Sequence, residues 1–362
     1  MNKIDFLEQL EARLRGINVV DRVRSLDYFS EMIDDAMESG MSEEEAVAAL
    51  GGIDEIAERI TQEAPVSPLR GEKPFDGSEK AESSAPVDGE FSSIRVRVRE
   101  SDVNVLLSED GESRVDCVDR EHIYHRVFEE NGVLIVEEVD ERRWYERFKG
   151  FNKGTEVSIY LPAGEYKKLD IESVSGDIEV VRGIAFESVH AKTLSGDIEF
   201  FALVRAVLEL SSTSGNVCVE GKSELEALSV HSTSGDVELS GFTCTKTVSV
   251  NSTSGDVACR SITSEDGEIK SISGDVNVKD VICANKLGIS STSGDVRFDG
   301  CDGAIVLLSS ISGDVRGSLL SEKRFEAKTV SGGIRLPNDN SNPNGECKAK
   351  TVSGSINISL CK

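Results

Sequence analysis

Ten copies of a Ser-Gly-Asp-Val tetrad, or a close relative of it, run through this chain. The leading Ser stands at 175, 195, 214, 234, 254, 273, 293, 312, 331 and 353, so copies are 19 or 20 residues apart until a last step of 22. A unit that short cannot bury a hydrophobic face by itself. It has to stack on further copies, which restricts the chain to a repeat architecture with one continuous core.

Aligning the copies on that Ser turns each column into a statement about environment. Three and five residues after it the column is apolar, from Ile178 and Val180 to Ile356 and Ile358, and the residue between is polar or small. Period-two alternation marks a strand with one buried face. Four residues before the Ser lies another apolar column, including Ile171, Val230, Ile289 and Ala349, mostly repeated two residues earlier. Each period therefore holds two short strands and leaves no room for a helix. The convex helix and L-x-x-L-x-L-x-x-N pattern of a leucine-rich repeat are missing. The expected fold is mainly β, a parallel single-stranded β-solenoid over 169–362. About ten coils of ~20 residues at ~4.8 Å each make a rod of about 48 Å, right-handed by crossover sterics.

The corner between the strands carries Gly176, Gly196, Gly215, Gly235, Gly255, Gly274, Gly294, Gly313, Gly332 and Gly354, as expected where a sharp turn needs positive φ. A Ser or Thr precedes every motif Ser by two residues, from Ser173 to Thr351, placed to bond the turn backbone and the next coil. The Asp column reads Asp177, Asp197, Asn216, Asp236, Asp256, Asp275, Asp295, Asp314, Gly333 and Ser355. Carboxylates ~4.8 Å apart repel by roughly 0.9 kcal/mol per pair in a water-like dielectric. The expected compensation is bonding of each carboxylate to N–H groups of its own corner. The alternative is a row of weak cation sites at Asp236, Asp256, Asp275, Asp295 and Asp314. Against it, Ca²⁺ takes 6–8 oxygens and each coil offers one carboxylate. The outward column beyond the corner runs from Glu179, Glu199 and Glu238 to Arg297, Arg316 and Arg335, which stacking turns into a charge gradient along one face.

Residues 1–60 follow helical spacing instead. Ile4, Leu7, Leu10, Leu14 and Ile17 form one stripe, and Val23, Leu26, Phe29, Ile33 and Ala36 a second. Gly40 ends the second helix, Ser42 and Glu45 form a capping box for a third, Gly51-Gly52 terminates it, and Ile53, Ile56, Ala57 and Ile60 fit a fourth. The opening Met-Asn-Lys-Ile-Asp-Phe-Leu-Glu-Gln-Leu, Tyr28, Glu31 and Asp34, Gly40, Ser42–Val47 and the Leu50-Gly51 to Ile60 ending resemble the HAAS-type helical signalling domain of bacterial proteins. That resemblance implies a module that usually precedes transmembrane segments and whose genes often neighbour PadR-like regulators.

Four of seven prolines fall in 61–90, among Ser, Glu, Gly and Lys, the composition of a linker. Residues 91–168, with alternating Ile94, Val96 and Val98 and the later Val157–Pro162 segment, are expected to form an irregular β cap on the solenoid. From Val157 through the Ser-Gly-Asp repeats, and over roughly 91–362, the chain resembles the adhesin-like β-helical family known as domain of unknown function 4097. The resemblance implies a fold more than an activity.

Little chemistry is legible. Cys117, His122 and His125 could supply three zinc ligands, but strand alternation would place the two histidines on opposite faces, as surface residues of the cap. His190 and His231 read as ordinary outward residues. There is no nucleophile elbow or phosphate loop, and ten repeated Ser-Gly pairs describe a structural corner rather than a nucleophile. No catalytic residue, cofactor or enzymatic activity is expected. A net charge of −26 excludes a nucleic-acid backbone as the natural partner. No apolar run is long enough to cross a bilayer, no signal-peptide core opens the chain, and eight cysteines contain no C-x-x-C pair. A cytoplasmic setting with reduced thiols is expected, with peripheral membrane association left open. Cys259 and Cys347 fall in inward columns, and Cys218, in an outward one, is expected to react first.

Two readings of function follow. The first is a non-enzymatic binding or scaffold protein, in which 1–60 recruits a protein partner and the rod offers a rigid surface. The second is a bacterial regulatory or envelope-stress protein, in which the helical domain binds a regulator and the solenoid senses or assembles. The chain ends soon after the tenth corner, so that coil is expected to need cover. Either the Pro337–Pro343 loop folds over it or the edge pairs with a second chain.

Overall fold

A computed structural model describes residues 2–14, scattered positions from 22 to 37, 41–60 except 55, 58 and 59, 81–142 except 88 and 121, 154–338 and 343–361. The chain divides into two compact units, residues 1–78 with 139–151 and residues 79–138 with 152–362.

In the first unit, Asn2 caps the helix Lys3–Arg13 by accepting the backbone N–H of Asp5 at 2.7 Å. The buried face is Phe6, Leu7, Leu10 and Leu14, packed with Leu26, Ile33, Ala46, Val47, Ile56 and Ala57. Ile4, expected in that stripe, is exposed, and Phe6 takes its place in the core. The helix Glu43–Ala49 opens on the expected capping box. Ser42 accepts the N–H of Glu45, and the Glu45 carboxylate accepts the N–H of Ser42 at 3.0 Å. Gly51 stops it with φ of 96°, in the left-handed region. Most of the expected second helix, and part of the fourth, lies outside the described residues.

The second unit is the expected parallel β-solenoid. The strands before the corner stack in register, Leu169 beside Val189, then Leu208, Leu228 and Val248. Those after it stack Ile178 on Ile198, Val217, Val237, Val257, Val276 and Val296. Both columns are buried, and they merge into a single core. The middle coils add an inward column that the alignment did not single out, Phe242, Ile262, Val281 and Cys301. The bend just before it stacks Gly241, Ser261, Asp280 and Gly300, with φ of 87°, 53°, 53° and 62°. In these middle coils the left-handed residues sit at this second bend. Of the ten Ser-Gly corners only Gly332 has positive φ, a near-extended 158°, so positive φ is not what selects glycine there.

Both ends of the stack depart from sequence order. The strand Val296–Ser309 pairs with Glu346–Lys350, and Val315–Leu319 with Ile356–Leu360. The strands Arg324–Lys328 and Ile334–Arg335 lie on the far side of those two. The tenth coil in sequence is therefore the penultimate layer, and the ninth is the last. This corrects the expectation that the tenth coil forms the open end. Ile356 and Ile358 are buried, whereas Ile334 is 46% exposed and Val330 83%. The loop expected as a lid lies outside the described residues at 339–342. Beside it, the N–H of Asn344 donates to the carbonyl of Glu322 at 2.7 Å.

The other end repeats the device. Ser93–Arg97 pairs with Lys168–Glu172 on one side and Val133–Glu137 on the other, and Asp102–Leu107 lies between Ile178–Val180 and Glu156–Leu161. Part of the expected irregular cap is thus a full coil, with Val103 and Val105 in register with Ile178 and Val180. Antiparallel strands close this end: Arg114–Asp119 pairs with Glu156–Leu161, and Ala81–Pro86 with Arg114–Asp119. Residues 81–86, expected in the linker on their polar composition, form a strand instead. Pro86 is tolerated because, among the described residues, this strand pairs on one side only.

Candidate functional site

The corners are joined by three parallel ladders. At nearly every corner the Ser or Thr hydroxyl accepts the N–H of the motif Gly, at 2.9 to 3.1 Å, as from Gly274 to Ser271 and from Gly354 to Thr351. In several coils it also donates to the glycine carbonyl of the adjacent coil, Ser291 to Gly274 at 2.8 Å and Thr351 to Gly313 at 3.0 Å. The expected double role of the hydroxyls holds. The glycines stack so closely that a Cβ on Gly255 would press on the carbonyl of Gly235, and one on Gly354 on that of Gly313. Close approach between coils therefore demands glycine in this column.

The third ladder is made by the aspartates, and it differs from the expected bonding within each corner. Oδ1 of Asp236 accepts the backbone N–H of Asp256 at 2.8 Å, Asp256 that of Asp275 at 2.7 Å, and Asp275 that of Asp295 at 2.8 Å. Asn216 serves as well, accepting from Asp236 at 2.9 Å, because only an oxygen is needed. The ladder begins at Asp102, which accepts from Asp177, and ends where the Ser355 hydroxyl accepts from Gly333. Gly333, in the last layer, has no further coil to serve and carries no side chain.

The second carboxylate oxygen faces outward, and here the strip is polarised. Arg297 bonds Oδ2 of both Asp275 and Asp295, at 2.7 and 2.8 Å, and Arg316 engages Asp314. Burial alone would push the Asp275 carboxyl up, but the Asp295 N–H and the Arg297 guanidinium bring it below the usual range. The N–H of Ser355 chiefly, with Arg316, lowers that of Asp314 against a smaller opposing effect of burial. Toward the other end the neighbouring column holds Glu179, Glu199, Cys218 and Glu238 in register, exposed but for a half-buried Cys218. The charge gradient expected along one face is therefore present.

A second constellation escaped the sequence. His125 Nδ1 lies 2.7 Å from Asp119 Oδ1, and its Nε2 lies 2.8 Å from Ser101 Oγ. These are the spacings of a Ser-His-Asp triad. Ser101 is 0% exposed, however, and its hydroxyl donates to the buried Glu138 carboxylate at 2.7 Å, where an acyl group would have to sit. Glu138 also accepts the N–H groups of Arg99, Glu100 and Ser101. The group locks the corner of the 93–107 coil, in which Ser101 occupies the glycine position below Gly176. The signal was Ser101-Asp102-Val103-Asn104-Val105, a motif lacking its glycine. His125 is thus buried, not the surface residue expected, and Cys117 points into the core. His122 lies in a turn with φ of 67°, and among the described residues Cys117, His122 and His125 do not form a group of converging ligand atoms.

Among the described residues, potential ligand atoms of Asp170, Glu172 and His190 lie within 4.8 Å of one another, in a shallow groove also lined by Lys168 and Glu209. Arg97 bonds Asp170 at 2.8 Å and pairs with Glu172 at 3.3 Å, and Lys168 lies 3.6 Å from Asp170, so two cations already face the two carboxylates. Of the cysteines, 117, 244, 259, 283, 301 and 347 are buried, Cys218 is half-buried and Cys361 exposed. No described helix is long and apolar enough to cross a membrane.

Stacked corners, a continuous core and antiparallel closure of one end define a repeat protein of the β-solenoid class. The chain belongs to the Toastrack DUF4097 family, whose pattern matches residues 91–259 and 243–362, and residues 5–59 match the HAAS domain. Nothing among curated proteins matches it. Solved structures with some likeness include a candidate adhesin of Bacteroides fragilis, 15% identical over 78% of this chain and 98% of that one, with a TM-score of 0.37. Another is a candidate lipid-binding protein of Parabacteroides distasonis, 16% identical over 77% and 96%, with a TM-score of 0.41. A third is a candidate cell-adhesion protein of Clostridium sporogenes, 11% identical over 78% and 100%, with a TM-score of 0.20.

Proposed function

We propose that this is a non-enzymatic binding and scaffold protein, with an adhesin-like solenoid as the binding surface and the 1–60 module recruiting a second protein. The polarised corner strip carries the reading. Asp177, Glu179, Asp197, Glu199, Asp236, Glu238 and Asp256 are exposed along one half, while Arg297 and Arg316 neutralise the other. A fixed row of carboxylates on a rigid sheet suits a cationic protein surface, which it would steer and orient. The test is affinity capture with the full chain, a Glu179→Lys/Glu199→Lys/Glu238→Lys variant and a chain lacking 1–60. A basic partner kept by the full chain and lost on charge reversal supports the reading. Retention by the reversed strip counts against it.

The compact core of the helical unit favours a second reading, a regulatory protein in which residues 1–60 hold a regulator and the solenoid senses or assembles. It requires that residues 1–60 alone retain the partner, and failure of that binding removes it.

A further inference from the structure

The last layer of the stack leaves the backbone of Arg324–Lys328 and Ile334–Arg335 paired on one side only among the described residues. Which groups face outward follows from the hydrogen bonds. The N–H of Arg324 donates to Gly345 and the carbonyl of Lys328 accepts from Thr351, both toward the penultimate layer. Strand alternation then aims the N–H and C=O of Phe325 and Ala327 at the open side. The side chains of Phe325, Ala327 and Leu336 are only partly buried, and Val330 and Ile334 are exposed. A free edge beside uncovered apolar core calls for a strand and an apolar surface together.

We propose that the occupant is a second copy of this chain, docked tail to tail through antiparallel pairing of Arg324–Lys328 with itself. Charge narrows the register to those centred on Phe325 or Ala327 (the latter sets Glu326 against Lys328), and the Arg324–Glu346 and Lys328–Glu326 pairs within each copy open to allow it. If Phe325 lies opposite its counterpart, the two exchange their outward N–H and C=O bonds. Arg324 then faces Glu326 of the other copy, and Lys328 faces Glu322. The register shifted to put Glu326 opposite Glu326 would set Arg324 against Lys328, like charges in both places, which cross-strand pairing disfavours. The Phe325 register makes more of these opposite-charge pairs and is two-fold symmetric, so it closes at a dimer. It also brings the two apolar ends together, which an anionic or purely polar partner would leave uncovered.

Sedimentation of the full chain over a concentration series tests this. The wild type is expected to show a monomer–dimer equilibrium. Ala327→Pro removes an N–H that its own coil does not use, so the fold is expected to survive and the dimer to weaken by about tenfold or more. Arg324→Glu alone is expected to weaken it too, and Arg324→Glu with Glu326→Arg to restore it. Unchanged circular dichroism melting in the variants separates lost docking from lost folding. A wild type that stays monomeric at high micromolar concentration overturns the proposal. So does a dimer indifferent to Ala327→Pro, or one that the double charge swap fails to rescue.

Discussion

Oδ1 of Asp314 accepts the backbone N–H of Ser355 at 2.6 Å, across 41 residues of sequence, where the corner below it spans 19. The bond is chemically the same as the other aspartate rungs of the ladder. The chain has stepped over one layer and come back to fill it, and the corner chemistry does not register the difference.

The glycine column predicts a sharp contrast along the stack. Gly255→Ala and Gly274→Ala place a methyl against the carbonyl of the adjacent coil and are expected to cost about 3 kcal/mol, the upper range for overpacking. Gly333→Ala, with nothing within 4 Å of the added carbon, is expected to stay within about 0.5 kcal/mol. Urea denaturation of the three variants checks this, and equal losses would remove close approach as the reason for glycine.

For the aspartate ladder, Asp256→Asn keeps the accepting oxygen and Asp256→Ala leaves the Asp275 N–H without it. The first is expected to be nearly neutral and the second to cost about 0.5–1.5 kcal/mol, the net worth of one exposed hydrogen bond. Because Oδ1 is already used, millimolar Ca²⁺ is expected to leave Tm where matched ionic strength leaves it. A saturable rise would establish cation sites at Asp236, Asp256, Asp275, Asp295 and Asp314 instead.

Acid should loosen the C-terminal layers through Asp275 and Asp314. Their carboxyls are lowered in the folded protein, so the unfolded chain takes up protons first as pH falls. The stabilisation is complete above the ordinary carboxylate pKa of about 3.9 and is lost as pH falls through the lower folded value. Asp314→Asn is expected to flatten the Tm profile below about pH 4, where that carboxylate titrates. A parallel profile would contradict the assignment.

Thiol labelling should proceed in order of exposure, with Cys361 first, then Cys218. This revises the expectation that Cys218 leads. Burial chiefly, with Glu238, Glu199 and Glu220 adding, raises its thiol and slows it. Burial also pushes Cys117, Cys244, Cys259, Cys301 and Cys347 up to about 12, and these should stay unmodified until the protein unfolds. Time-resolved mass spectrometry with a maleimide would show this order or refute it.

Ser101 should be inert to a fluorophosphonate despite its triad spacing, since it has no exposed surface. Ser101→Ala is expected to destabilise the second unit by about 1–3 kcal/mol through the Glu138 and His125 bonds. Labelling of Ser101 in the native protein would reopen the enzymatic reading.

The repeat made the coil, its buried columns and its polarised face legible, because each position was sampled ten times. Features present once were not. The 93–107 coil hid behind Ser101, whose place in the glycine column is permitted only because the layer beside it is the Glu138 layer. The left-handed bend was masked by its mixed residues, Gly241, Ser261, Asp280 and Gly300, while the glycine that recurred was read as the flexible one. Layer order at the C-terminal end leaves one trace, Gly333 without a side chain where Ser355 still supplies a rung, and a single position is too little to read as order.

Layer order also governs how the rod is finished. Synthesis releases residues 324–335 before 346–360, so the outermost rung exists before the rung that must support it. A stop codon after residue 335 would not give a shorter rod with a clean end. It would leave residues 324–335 without the 346–360 rung that they pair with in the full chain.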